Sequence, residues 1–123
     1  MRVLGIGVDV VKNKRIKSLI NNSKFIKRTF SVNEIKFSRK NNYRTSYFSK
    51  RFAAKEALVK AIGTGFRNNL NFKDIEILND KLGKPYYSKS KKIDKIIHKK
   101  FDIRKYNLFL SISDEKYYSV AFT

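Results

Sequence analysis

The chain has 123 residues, with 29 Lys and Arg against 10 Asp and Glu for a formal net charge of +19, and its length is that of one domain, expected over 1–123. It has no cysteine, which excludes disulfides and thiolate chemistry, and no run resembling a membrane span. The charge favours polyanionic partners without choosing among them, since nucleic acid, phosphate-rich ligands and acidic proteins are all steered to such a surface.

Val3 to Val11 alternates as a strand, expected over 3–10, with Leu4, Ile6, Val8 and Val10 on one face. The other face carries Gly5, Gly7 and Asp9, so two missing side chains leave room beside a carboxylate for a ligand or another backbone. The plainer reading of Asp9 is a strand-end cap for a helix that begins near Lys14. Gly5-x-Gly7-x-x-Val10 is not a dinucleotide fingerprint, because the third glycine is absent and the glycines lie inside the strand. Helices are expected at 13–22 and 31–40, the second signalled by a capping box from Ser31 to Glu34.

A longer helix is expected at 46–63. At about 100° per residue, Ala54, Ala57, Leu58, Ala61 and Ile62 form an apolar stripe, while Glu56 and Lys60, at i and i+4, point away from it between Phe52 and Val59. A helix apolar over so much of its circumference is buried on most sides, which puts the charged pair in a cleft or an interface. The alternative is a surface Glu-Lys pair worth about 0.3–0.5 kcal/mol. Gly63 stands where a C′ glycine closes a helix.

Strands are expected at 73–79 and 84–88, joined through Gly83-Lys84-Pro85, followed by a helix at 90–100. There Ile93, Ile96 and Ile97 give the lysine-rich stretch Lys89 to Lys100 an amphipathic spacing. Leu108/Leu110/Ile112 and Tyr118/Val120/Phe122 alternate across a short polar turn, which reads as a closing hairpin over 107–113 and 117–122. The class is α+β. The glycine face of the first strand and the far side of the central helix are expected to lack cover within one domain, which favours self-association.

Four blocks in order, GIGVDVV, RFAAKEALVKAIGTG, FKDIEILNDKLGKPYY and LSISDEKYYSVAFT, resemble the holo-(acyl-carrier-protein) synthases over nearly the whole chain. The resemblance implies a 4′-phosphopantetheinyl transferase fold, an antiparallel sheet with a long central helix. It also implies a homotrimer whose active sites are shared between neighbouring subunits. The implied reaction moves 4′-phosphopantetheine from coenzyme A to a serine of apo acyl carrier protein, releasing adenosine 3′,5′-bisphosphate in fatty acid biosynthesis. Magnesium is the implied cofactor, held by Asp9 and Glu56. An ion that takes one or two carboxylates and fills its remaining positions with phosphate oxygens and water suits that pair. Lys60 completes the implied catalytic set as a point charge on the same phosphates. A metal-bound water or Glu56 takes the serine proton, and both remain open. Arg51, Lys60, Gly63, Gly65, Lys84, Pro85 and Ser113 are the implied coenzyme A contacts, and Arg15 the carrier-protein contact. Arg44 is a further basic candidate.

One departure stands out: family members commonly read Ser-x-Ser-His, where this chain has Ser111-Ile112-Ser113-Asp114. Asp114 would repel a phosphate that a histidine cation attracts, unless it simply starts the turn Asp114-Glu115-Lys116. The lone His98 lies in another segment. Two other classes compete with the transferase. One is a non-catalytic relative that binds coenzyme A or the carrier protein. The other is a small RNA-binding protein using Tyr43, Tyr47 and Phe48 as stacking platforms among basic residues, which leaves Asp9 and Glu56 unexplained. Neither nucleic acid nor membrane is the expected partner, and without a signal-peptide pattern the expected location is the cytoplasm.

Overall fold

A computed structural model describes residues 2–67 and 69–123. In chain order the elements are β1 (Val8–Lys12), α1 (Asn13–Leu19), α2 (Ser23–Thr29), α3 (Val32–Ser38), α4 (Arg44–Ile62), a 3₁₀ turn (Phe72–Asp74), β2 (Ile77–Asn79), β3 (Pro85–Tyr87), α5 (Lys91–Phe101), β4 (Ser111–Asp114) and β5 (Tyr118–Phe122). Strands β1, β5 and β4 form an antiparallel sheet in that order, with Asp9 opposite Ala121 and Ala121 opposite Ile112. β2 and β3 form a separate antiparallel pair. The expected α+β class, an antiparallel sheet with a long helix, is the observed one.

The sheet packs on α4 through missing side chains. A Cβ on Gly7 would lie 1.9 Å from the Ala57 carbonyl oxygen, and one on Gly5 2.1 Å from that of Ala61. Glycines on the strand side facing alanines on the helix let the two backbones touch. The room beside Asp9 is therefore filled by α4, and the expectation that the glycine face lacks cover is corrected. The uncovered side is the opposite one, where Val8, Val10 and Phe122 are 50%, 58% and 51% exposed.

Helix α4 is buried along most of its length, from Tyr47 to Ile62, and Gly63 closes it with φ of 82°. Tyr47 and Phe48 lie in the core at 5% and 0% exposure, so two of the three rings considered for base stacking cannot reach a base. The capping box forms as expected, and Glu34 does more than cap. Its Oε1 accepts from Ser31 N at 2.9 Å and from Lys55 Nζ at 2.7 Å, while Oε2 accepts from Ile77 N at 3.1 Å. Lys55 Nζ also donates to the Phe72 and Ile75 carbonyls. Lys55 and Glu34 are both fully buried, so this network fixes α4 against α3 and the entry to β2. Burial draws the Lys55 pKa down while Glu34 opposes the shift.

Helix α2 was not expected. Asn22 caps it by accepting from Lys24 N and Phe25 N. The strand expected over 3–10 is regular only from Val8, although Gly7 and Thr123 extend the pairing with reciprocal bonds of 2.8 and 2.9 Å. The amphipathic helix near 90–100 is α5, with Ile93, Ile96 and Ile97 buried. Among the described residues no helix is long and apolar enough to cross a membrane.

Candidate active site

Strand alternation sends Asp9 and Val11 toward α4 and Val8 and Val10 away from it. Asp9 thereby meets Lys60, whose Nζ donates to Asp9 Oδ1 at 3.0 Å and to the Val8 carbonyl at 3.1 Å. Glu56 stands one turn earlier on α4. Burial pushes its carboxyl above the ordinary range and the Asp9 charge adds to that rise, while Lys60 and Arg15 pull it down. Four sequence candidates, Asp9, Glu56, Lys60 and Arg15, thus share one electrostatic neighbourhood at the β1–α4 seam. Arg15 reaches it from α1, its guanidinium 5.7 Å from the Phe52 ring centroid.

Two expectations are corrected here. Lys60 pairs across the seam with Asp9 instead of along the helix with Glu56, because Asp9 is presented on the near face of β1. Asp9 caps nothing, since the residue at the α1 N-cap is Lys12 and no side chain caps that end.

A second cluster lies on another side of α4. Arg51, 6% exposed, lays its guanidinium over the Tyr47 ring at 3.6 Å from the centroid. One Nη donates to Asn79 Oδ1, the other makes a long 3.4 Å bond to the Tyr47 carbonyl, and Nε has no partner. Burial lowers the Arg51 pKa. Asn79 in turn donates to the Gly83 carbonyl at 2.9 Å. Gly83 adopts φ of 88°, which the turn into Lys84 and Pro85 requires. Arg51 is therefore joined to the Gly83-Lys84-Pro85 turn by Asn79, a residue that sequence reasoning missed because an Asn beside Asp80 reads only as turn chemistry.

Gly63 and Gly65 follow Lys60 at the end of α4, both with positive φ. Ser113 is not gathered with Asp9 and Glu56 in one chain. It pairs with Val120 on the outer face of the sheet, because the helix-facing positions of β4 fall to Ile112 and Asp114. Asp114 is the last residue of β4 and not the start of a turn. Its carboxylate accepts from Ser46 Oγ at 2.6 Å and lies 3.9 Å from Lys50 Nζ, which ties β4 to the first turns of α4. Arg44 opens α4 with its guanidinium 5.5 Å from the Phe48 ring centroid, and His98 stands on α5 beside Tyr106.

Among the described residues no group of three or more His, Cys, Asp or Glu side chains gathers to hold a metal. The seam offers two hard carboxylates whose mutual repulsion a divalent cation would relieve, too few for a closed all-protein cage but enough for an ion that shares its shell with ligand oxygens and water.

The described chain thus carries a carboxylate pair with an ammonium at one seam and a buried guanidinium without a carboxylate within 4.0 Å at another. Residues 5–121 match the model of the 4′-phosphopantetheinyl transferase superfamily, and the chain belongs to that family. It is 60% identical over 122 residues to a holo-(acyl-carrier-protein) synthase of Pelagibacter ubique, covering 99% of this chain and 95% of the relative. A synthase of the same name from Clostridium tetani is 46% identical over 124 residues, covering 98% and 94%. Among solved structures, the Neisseria meningitidis synthase superposes with a TM-score of 0.88 at 35% identity, covering 98% of this chain and 96% of that one. The Bacillus anthracis synthase in complex with CoA (3′,5′-ADP) superposes with a TM-score of 0.79 at 34% identity, covering 97% and 92%.

Proposed function

We propose that this chain transfers 4′-phosphopantetheine from coenzyme A to a serine of apo acyl carrier protein, giving holo carrier protein and adenosine 3′,5′-bisphosphate in support of fatty acid biosynthesis in the cytoplasm. The observation that carries the proposal is the convergence of Asp9, Glu56 and Lys60 at the β1–α4 seam of a chain from this family.

Asp9 and Glu56 would hold magnesium, and as two adjacent carboxylates they fit it. Held there, the ion would supply neutralisation of pyrophosphate charge and Lewis-acid polarisation of the phosphorus. Lys60 is half exposed and free to turn from Asp9 toward a phosphate oxygen, where its charge is worth most as the leaving bisphosphate develops. The serine proton would pass to a water on the ion or to a carboxylate of the seam. Arg15 lies beside this seam, where an acidic carrier protein would meet it.

Arg51 and Lys84 are our candidates for the nucleotide phosphates, with Pro85 bordering the nucleotide and Gly63 and Gly65 giving close backbone approach. A guanidinium has five N–H donors, and Arg51 makes only two hydrogen bonds and no ion pair within 4.0 Å among the described residues, which supports its role toward an anion. Arg51 and Glu56, five residues apart on α4, point about 140° apart around the helix, so the two clusters of one chain face different ways. That separation favours sites completed by a neighbouring subunit, and the bare apolar face of Val8, Val10 and Phe122, with Ser113 beside Val120, supports a homotrimer. The test of the chemistry is to incubate the protein with coenzyme A and apo carrier protein and to measure adenosine 3′,5′-bisphosphate by chromatography. Release that requires the carrier protein supports transfer; release without it, or none, overturns it.

A further inference from the structure

Arg51 is a buried cation whose nearest side-chain acceptor is a neutral amide. Among the described residues no carboxylate lies within 4.0 Å of it: the four ion pairs found are Lys50–Asp114, Lys55–Glu34, Lys60–Asp9 and Lys92–Asp74. Glu34 is close enough to be felt by Arg51, but Lys55 and two backbone N–H groups occupy it. A 94% buried guanidinium with an orphan Nε, offset only by the Tyr47 ring and the more distant Glu34 charge, gains from an anion that completes it.

We propose that Asn79 is a positioning residue for phosphate binding, aiming Arg51 by a hydrogen bond while leaving its charge uncompensated. The Oδ1 atom of Asn79 fixes the guanidinium, and its Nδ2 fixes the Gly83 carbonyl, so one side chain sets Arg51 and the Lys84 turn in register. A carboxylate in the same place would make a stronger, charge-assisted bond to Arg51 but could not donate to the Gly83 carbonyl, and it would satisfy Arg51 internally and repel an incoming phosphate. The choice of amide over acid therefore keeps the receptor open. This inference rests on the reading that Arg51 contacts the nucleotide phosphates.

The test is Asn79→Asp beside Asn79→Ala, with Arg51→Met in parallel, using adenosine 3′,5′-bisphosphate as the calorimetric probe alongside melting temperature and steady-state kinetics. A merely structural role for Asn79 predicts that Asn79→Asp and Asn79→Ala, which both lose the bond to the Gly83 carbonyl, bind the bisphosphate alike. The positioning role predicts that Asn79→Asp melts above Asn79→Ala through its ion pair with Arg51, yet binds the bisphosphate about tenfold or more weakly than Asn79→Ala, because only the acid neutralises Arg51. Its KM for coenzyme A should rise while kcat changes little. If Arg51→Met loses binding but Asn79→Asp retains it, the role of Asn79 is overturned and the phosphate reading of Arg51 survives. If Arg51→Met binds as wild type, the reading beneath the inference fails and takes it along.

Discussion

Gly7→Ala tests the link from packing to chemistry. The added Cβ would sit 1.9 Å from the Ala57 carbonyl oxygen, where ordinary contact begins at 3.4 Å, so β1 must retreat from α4 by about 1.5 Å. The obstacle is helix backbone, which cannot swing aside as a long side chain would. Overpacking of this kind costs about 1–3 kcal/mol, which for a chain of this length lowers the melting temperature by about 4–12 °C. Activity should fall further than stability suggests. Asp9 is two residues along the same strand and on the same face, so the retreat carries it away from Lys60 and Glu56. A misplacement of about 1 Å can cost about a hundredfold. The assay is kcat with coenzyme A and apo carrier protein, beside a thermal melt of the same sample. A Gly7→Ala variant with wild-type kcat and melting temperature would refute the close-packed seam as the device that positions Asp9.

Asp9→Ala and Glu56→Ala should each abolish turnover with the circular dichroism spectrum and oligomeric state unchanged, whereas Lys60→Ala should lower kcat with little change in KM; wild-type kinetics in any of the three removes that residue from the site. Lys55→Met strips a buried carboxylate of its cation and should cost about 3–5 kcal/mol in urea unfolding, with Glu34→Gln in the same chain recovering part of the loss; additive effects of the two changes would refute their coupling. Val10→Asp puts a charge on the bare outer sheet face and, if the proposed homotrimer forms through it, should give monomers in sedimentation or light scattering where the unaltered chain gives trimers. Trimers that survive the change would refute this face as the proposed subunit contact.

Much of this was legible in the sequence because it rests on periodicity. The stripe of α4, the closing hairpin and the isoleucines of α5 follow from spacing, and Gly63 marks its own helix end. Asp9 in its apolar strand and the Glu56–Lys60 spacing were legible one by one, but that the two carboxylates act as a pair was implied by the family resemblance and not by their spacing. What escaped depends on contacts between residues far apart in the chain. Lys55 sits inside a run that reads as apolar, and its partner Glu34 is 21 residues away, already explained locally as a capping residue. Asn79 is separated by 28 residues from the arginine it holds. The glycine face of β1 was misjudged for the same reason: spacing shows that Gly5 and Gly7 leave space, but only the packing shows that α4 fills it.

Transfer itself is tested most directly by the intact mass of an apo acyl carrier protein after incubation with this protein and coenzyme A, once with magnesium and once with excess chelator. Transfer through Asp9 and Glu56 predicts that the carrier gains one phosphopantetheine group with magnesium and none with chelator. No gain in either case, with carrier proteins that a control enzyme modifies, would contradict the transferase function and leave a protein that binds without turning over. A gain undiminished by chelator would contradict the metal role given to the two carboxylates.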